Sequence, residues 1–346
     1  ACFTAVKKAF NRADNSDLAV LMHCLGLQSL PNLPPLAREL SEHINVIGID
    51  TEHWSSNTTQ MTEVGVTVFS VQEMVRIARS QNYGPHGANM MDRIKFYLFR
   101  ILETSHLPNT NPASKGVNGN RFGRDRFVTY SEMRDILGFL FNQTVKRVNG
   151  SENTKQPVII LGHAIAHDKN NLKTKELAFD LEKCDSIVRF IDTQQLVRDA
   201  GYWLHRSNNI GLGALTTKLG FQHHDPHTAC NDIAHTTIAA FQIALYKGRV
   251  AKMHCQKNLI QVVADLETSS RDTYQHIGGS EKYCWKCCSR LHMIYDCPMI
   301  DLRCDECWSN GRTEEAATHV TMHCERIAWE RAAQRREKDA AARQER

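Results

Sequence analysis

Two carboxylates spaced i, i+2 close an apolar run, Val46-Ile47-Gly48-Ile49-Asp50-Thr51-Glu52. Side chains alternate faces along a strand, so Asp50 and Glu52 arrive together on one side. Two adjacent like charges resist ionising together unless a cation sits between them. A hard divalent ion with oxygen ligands, Mg²⁺ or Mn²⁺, is the natural one. A surface strand ending in two solvated acids gives the same local pattern, so the argument turns on acids further along. Asp168 follows the apolar strand end Leu161-Gly162-His163-Ala164, with Leu172 one helical turn beyond it. His227-Thr-Ala-Cys-Asn-Asp232 then places a loop histidine just ahead of an acid that opens a helix. Asp at a helix start can also be no more than a cap. Glu63 reads either as a contact to a terminal nucleotide or as a polar edge residue. His163, His223, His224 and His235 are read as structural. Asp192 mimics a fifth acid at another strand end and is weighted toward structure.

A second chemistry lies in the cysteines. Of twelve, Cys2, Cys24, Cys184, Cys230 and Cys255 are scattered, and the rest fall between Cys284 and Cys324. Clustered C-x₂-C pairs with nearby histidines indicate zinc in a reducing compartment rather than a disulfide scaffold. Cys284, Cys287, His292 and Cys297 fit C-x₂-C-x₄-H-x₄-C, four ligands for a tetrahedral ion on one short loop. Cys304, Cys307 and His319 offer a second set, completed by either His323 or Cys324. One or two Zn²⁺ are therefore expected, with Cys288 left spare. The first set looks like a zinc knuckle of the retroviral nucleocapsid type. Such knuckles bind single-stranded RNA by stacking bases on an aromatic, which makes Trp285, Lys286 and Arg290 contact candidates. A purely structural or protein-binding zinc module is the alternative.

These residues need a scaffold, and 346 residues suffice for two domains and a sizeable core. The chain is 42% hydrophobic and 23% charged, and its net charge of +4 permits a polyanionic partner without demanding one. No apolar stretch approaches the ~20 residues of a membrane span, and no basic-then-apolar leader opens the chain. A cytoplasmic or nuclear location is expected. Glu42 to Thr51 leads into the first strand, and Glu63 to Phe69 reads as its antiparallel partner. Ile94 to Leu102 is apolar enough for a strand or a helix. Tyr130 to Val145 is predicted helical with Ser131 as cap, and Asp168 to Leu177 also helical. Pro157 to Leu161 and the run ending at Thr193 read as strands, Leu212–Leu219 and Asp232–Tyr246 as helices. The order predicts an α/β sheet with at least one antiparallel pair. Glu267 to Glu281 reads as a polar linker. The expected units are a helical preface and Pro-rich linker (1–43), an α/β domain (44–250), a helix and linker (251–282) and a zinc module (283–324). A charged helical tail (325–346) ends the chain, holding nothing or touching nucleic acid weakly.

The order of these signals carries a resemblance. D-x-E on a strand, Glu63-Val64-Gly65 on the next, G-H-x…Asp168…Leu172, a Leu-rich helix ending at Gly220, and H-x-A-x-x-D occur in sequence. Over about residues 44 to 247 the chain resembles the DEDDh exonucleases, which have a ribonuclease H-like mixed sheet flanked by helices. It is most similar to a fungal branch associated with RNA silencing and mRNA export. That branch carries the insertion seen here as Glu103-Thr-Ser-His106-Leu-Pro-Asn109 and Phe122-Gly123. Ala164 and His167 depart mildly from the family pattern, which bears on fine positioning. The resemblance implies a 3′–5′ exonuclease releasing 5′-mononucleotides from single-stranded RNA or DNA, RNA before DNA. It implies two Mg²⁺ or Mn²⁺ ions, one shared by Asp50, Glu52 and Asp232 and one by Asp50 and Asp168. His227 would be the general base. The competing reading is an adaptor, a nuclease fold with vestigial catalysis that binds RNA or an RNA-processing partner such as a silencing or export protein.

Overall fold

The computed structural model describes residues 1–31, 33–108, 111–148, 151–205, 208–248 and 257–344. Its centre is a six-stranded sheet. In chain order the strands are β1 (Asn45–His53), β2 (Met61–Ser70), β3 (Lys95–Ile101) and β4 (Asp125–Val128). A separate hairpin, β5 (Thr144–Val148) with β6 (Ser151–Lys155), precedes β7 (Val158–Gly162) and β8 (Ile187–Asp192). The sheet order is β4-β3-β2-β1-β7-β8. β2 is antiparallel to both β1 and β3, while β4, β7 and β8 pair in parallel with their neighbours. This is the mixed α/β sheet flanked by helices that the sequence predicts.

The two faces of β1 explain where the acids go. Ile47 and Ile49 enter one core, beside Val64, Val66 and Phe99 and under the helix Tyr130–Phe141. The even-numbered positions face the other way, toward the long helix Ala229–Lys247. That helix lies very close to the sheet because two strand residues lack side chains. A Cβ on Gly65 would sit 2.1 Å from the Ala229 carbonyl oxygen, and one on Gly48 2.8 Å from Ile233 Cγ1. The same face of β1 therefore continues from Gly48 to Asp50 and Glu52 and meets the start of the helix. The helices Cys2–Phe10, Asp17–Cys24 and Pro35–Ser41 pack into this second core through Val6, Phe10, Leu21 and Leu40. Arg189 ties the preface to β8 through Asp17 at 2.7 Å.

Several sequence expectations change. The run Ile94 to Leu102 forms a strand, β3 (Lys95–Ile101), buried along nearly its whole length. The cap of Tyr130–Phe141 is Thr129, not Ser131: its hydroxyl accepts the Glu132 N–H while Glu132 accepts the Thr129 N–H. The reciprocal pair satisfies two end donors at once, which a single serine one residue later does not. The Asp168 helix spans only Ala166–Leu172. Glu267 to Glu281 is no free linker, because the helix Leu259–Asp272 runs into it and Tyr274 and Ile277 pack on the core. Ser280 then pairs with Phe127 in a bridge of 2.8 and 2.9 Å hydrogen bonds. The tail is helical over Glu325–Gln344, and it does hold something: Trp329 packs edge-on against Trp54 at 4.6 Å. Asn109, Cys255 and residues 251–256 lie outside the described residues. No helix among the described residues is long and apolar enough to cross a membrane.

Candidate active site and metal centres

Asp50 is the half-buried centre of an acidic pocket. Its Oδ2 is shielded from solvent and has no hydrogen-bond partner. Burial, followed by the charges of Asp168, Asp232 and Glu52, holds its carboxyl well above the usual range. Asp168 is 4% exposed, and burial pushes its carboxyl up to about 7. Its Oδ1 accepts the Thr51 backbone N–H at 2.9 Å and the Thr51 hydroxyl at 2.7 Å. Asn171 donates to that hydroxyl oxygen at 2.9 Å, so Thr51 is fixed from both sides. Glu52 is also raised by burial, with His227 pulling against that rise.

Asp232 sits in the first turn of Ala229–Lys247. Its Oδ1 lies 2.7 Å from His223 Nε2, and its Oδ2 accepts the His227 N–H at 3.1 Å. His227 has a positive φ of 62° and keeps its half-exposed ring at the pocket, Nδ1 3.8 Å from Glu52 Oε1. Glu52 raises the His227 pKa, outweighing partial burial. One ligand atom each from Glu52, His227 and Asp232 lies within 4.8 Å of the others. Four convergent carboxylates, one with an orphaned buried oxygen, suit hard divalent cations.

The structure thus brings Asp50, Glu52, Asp168, His227 and Asp232 together. Glu63 is committed elsewhere: it pairs with Arg100 and accepts the Ala229 N–H at 3.1 Å, while Arg100 also binds Asp125 at 2.8 Å. It ties two strands to the helix start and is buried on an interior strand rather than at an edge, where it also borders the cavity that Glu52 and His227 line. Asp192 is a cap, accepting the N–H groups of Ala164, Ile165 and Gln194. His163 bonds Thr193, and His235 is fully buried. His223 was expected to be only structural, yet it touches a pocket acid. Nothing in its loop spacing marks that contact.

The cysteine clusters form as two sets. Ligand atoms of Cys284, Cys287, His292 and Cys297 lie within 4.8 Å of one another, as do those of Cys304, Cys307, His319 and Cys324. Both suit tetrahedral Zn²⁺. Cys324 completes the second set, and His323 is corrected out of it. Consecutive side chains of the turn Thr321–His323 and Cys324 diverge, and His323 points at the first cluster instead. Its Nδ1–H donates to the Trp285 carbonyl oxygen at 2.6 Å, and its Nε2 accepts from the Tyr283 hydroxyl at 3.3 Å. Arg290 is engaged by Glu132 through two bonds of 2.6 and 2.8 Å, so it docks the module rather than facing outward unpaired. Trp285 and Lys286 are half-buried between the first two ligands.

An α/β sheet presenting four acids and a histidine at one strand end defines a nuclease class. The family model described as the DNA polymerase III subunit epsilon-like, C-terminal domain matches residues 45–243, more than half of the chain. The chain belongs to that family of DEDDh exonucleases. Comparison with curated proteins gives no match. Among solved structures, one of exonuclease I that addresses processivity is 14% identical, with a TM-score of 0.36. The E. coli exonuclease I complex with a 5cy-dA13 oligonucleotide is 13% identical, with a TM-score of 0.34. Each comparison covers 60% of this chain and 42% of the other.

Proposed function

We propose that the chain is a 3′–5′ exonuclease of single-stranded nucleic acid, RNA in preference to DNA, that releases 5′-mononucleotides. The observation that carries this is the convergence of Asp50, Glu52, Asp168 and Asp232 around the unpartnered Asp50 oxygen. Asp50 with Glu52 and Asp232 would hold one Mg²⁺ or Mn²⁺, and Asp50 with Asp168 a second. When bound, such a pair activates a water and offsets charge on the phosphate and the leaving 3′ oxygen. The protein's own part is positional and protonic. Thr51 and Asn171 fix the direction of Asp168, and His223 fixes that of Asp232. His227 accepts the proton of the attacking water, a role suited to an imidazole near neutrality at the pocket mouth.

The preference for RNA rests on the Cys284–Cys297 loop, whose ligand spacing is that of RNA-binding knuckles. In this reading residues 44–250 are the nuclease unit, 283–324 the zinc module, and the biological setting is RNA silencing or mRNA export. The test is digestion of 3′-labelled single-stranded RNA and DNA with Mg²⁺ or Mn²⁺, comparing wild type with Asp50→Ala. Labelled mononucleotide released by wild type alone supports the exonuclease. Equal, negligible release by both leaves an adaptor with vestigial catalysis.

A further inference from the structure

The zinc module does not hang from the nuclease domain; it walls the catalytic pocket. One cavity of about 590 Å³ has Glu52 and His227 on one side and Trp285, Met293 and Tyr295 on another. That volume lies within the ~300–1,000 Å³ range of sites that engulf a small organic ligand. The wall is firmly seated. Tyr283, 5% exposed, packs with Phe127 and Leu102, and Trp285 and Met293 pack against that cluster. Arg290 clamps Glu132, and Ser280 is paired with Phe127. Trp285 is held from behind, since His323 binds its carbonyl oxygen at 2.6 Å while its side chain borders the cavity. Tyr295 beside it is 79% exposed.

We propose that the Cys/His module is part of the substrate site itself. Trp285, with Tyr295 beside it, is the stacking platform for the penultimate base, on the 5′ side of the phosphate cleaved at Glu52 and His227. The inference rests on the nuclease reading and goes beyond it. A knuckle acting only as a tether would bind the strand at a distance, whereas this one shares a cavity with the reacting groups. Aromatic rings suit any base, because every base offers a π face. The cavity is bounded by the module on one side and Glu52 and His227 on the other, which favours an unpaired 3′ end as the ligand class.

Two substrates separate this inference from the reading beneath it. The p-nitrophenyl ester of thymidine 5′-monophosphate reports the chemistry with one nucleotide, and an unpaired ten-nucleotide strand reports the chemistry with the platform occupied. In the full-length protein, Trp285→Ala should lower kcat/KM on the strand at least tenfold (about 1.4 kcal/mol), with KM rising and a much smaller loss on the ester. Trp285→Phe should recover most of it. Leu291→Ser, on the same module but 85% exposed and away from the cavity, should match wild type. Zinc content and circular dichroism of each variant show whether it folds. 2-Aminopurine placed at the penultimate position should be quenched on binding to wild type and Trp285→Phe, and not to Trp285→Ala. Equal losses on both substrates, or none on either, would overturn the proposal while leaving the nuclease intact. A wild type that cleaves neither substrate would remove the nuclease reading and this one with it.

Discussion

At the scale of single residues, the acids of the pocket oppose folding until cations arrive. Asp50 has a buried oxygen without a partner and four carboxylate neighbours, Asp168, Asp232, Glu52 and Glu63. Asp50→Asn removes a buried like charge and adds a donor for the adjacent carboxylates. In buffer free of Mg²⁺ and Mn²⁺ it should melt above wild type, while its exonuclease activity falls to background; scanning calorimetry and a labelled-strand assay check both. Asp168 gives the pH sign. Its carboxyl is raised from 3.8 to about 7, so between those values the folded state binds more protons than the unfolded chain. Stability contributed by that proton is complete below the unfolded value and lost as pH rises toward about 7. The metal-free melting temperature should therefore drop from about pH 5 to about pH 7.5, and added Mg²⁺ should restore it most at the upper end. His227 sets a separate limb. An imidazole base acts only when unprotonated, so kcat should climb with pH until His227 is freed. His227→Asn should lower kcat by ~10²–10⁴-fold and flatten that limb.

At the scale of elements, what could be read from the sequence was what is local. Asp50 and Glu52 share a face because of a two-residue repeat, and His227 precedes Asp232 by one loop, so both pairings are visible in a short window. The contacts that orient them are not. Thr51 meets Asp168 across 117 positions, and Arg100 joins Glu63 from another strand. His223 reaches Asp232 only because the loop folds back on the helix start. Gly65 belongs between these cases: the sequence marked it beside Glu63, but only the packing gives its reason. Its α-carbon faces the Ala229 backbone, where a methyl group would meet main-chain atoms at 2.1 and 2.2 Å that cannot rotate away. Gly65→Ala must therefore push the helix Ala229–Lys247 outward, and Asp232 rides on that helix. Overpacking of this kind costs about 1–3 kcal/mol, read as a lower urea midpoint. Activity should fall further than the lost stability explains, measured well below the midpoint where the variant is fully folded.

At the scale of the whole molecule, one histidine joins three parts that the sequence kept separate. His323 adjoins the second cluster through Cys324, holds the Trp285 carbonyl of the first, and lies tilted against the His106 ring of the 103–109 insertion, centroids 5.0 Å apart. C-x₂-C-x₁₁-H-x₃-H admits His323 as a ligand on spacing alone, and only the divergence of neighbouring side chains excludes it. The two roles predict opposite metal contents. If Cys324 is the ligand, Cys324→Ser should bind one Zn²⁺ per chain fewer than wild type by atomic emission, whereas His323→Ala should bind as many as wild type. Losing the bond to Trp285 should still free the module wall. His323→Ala should then be cut faster by protease in the stretch from Thr273 to Lys282, and should show a higher KM for a single strand at nearly unchanged metal content. Reduced zinc in His323→Ala with full zinc in Cys324→Ser would reverse the assignment and uncouple the second cluster from the pocket.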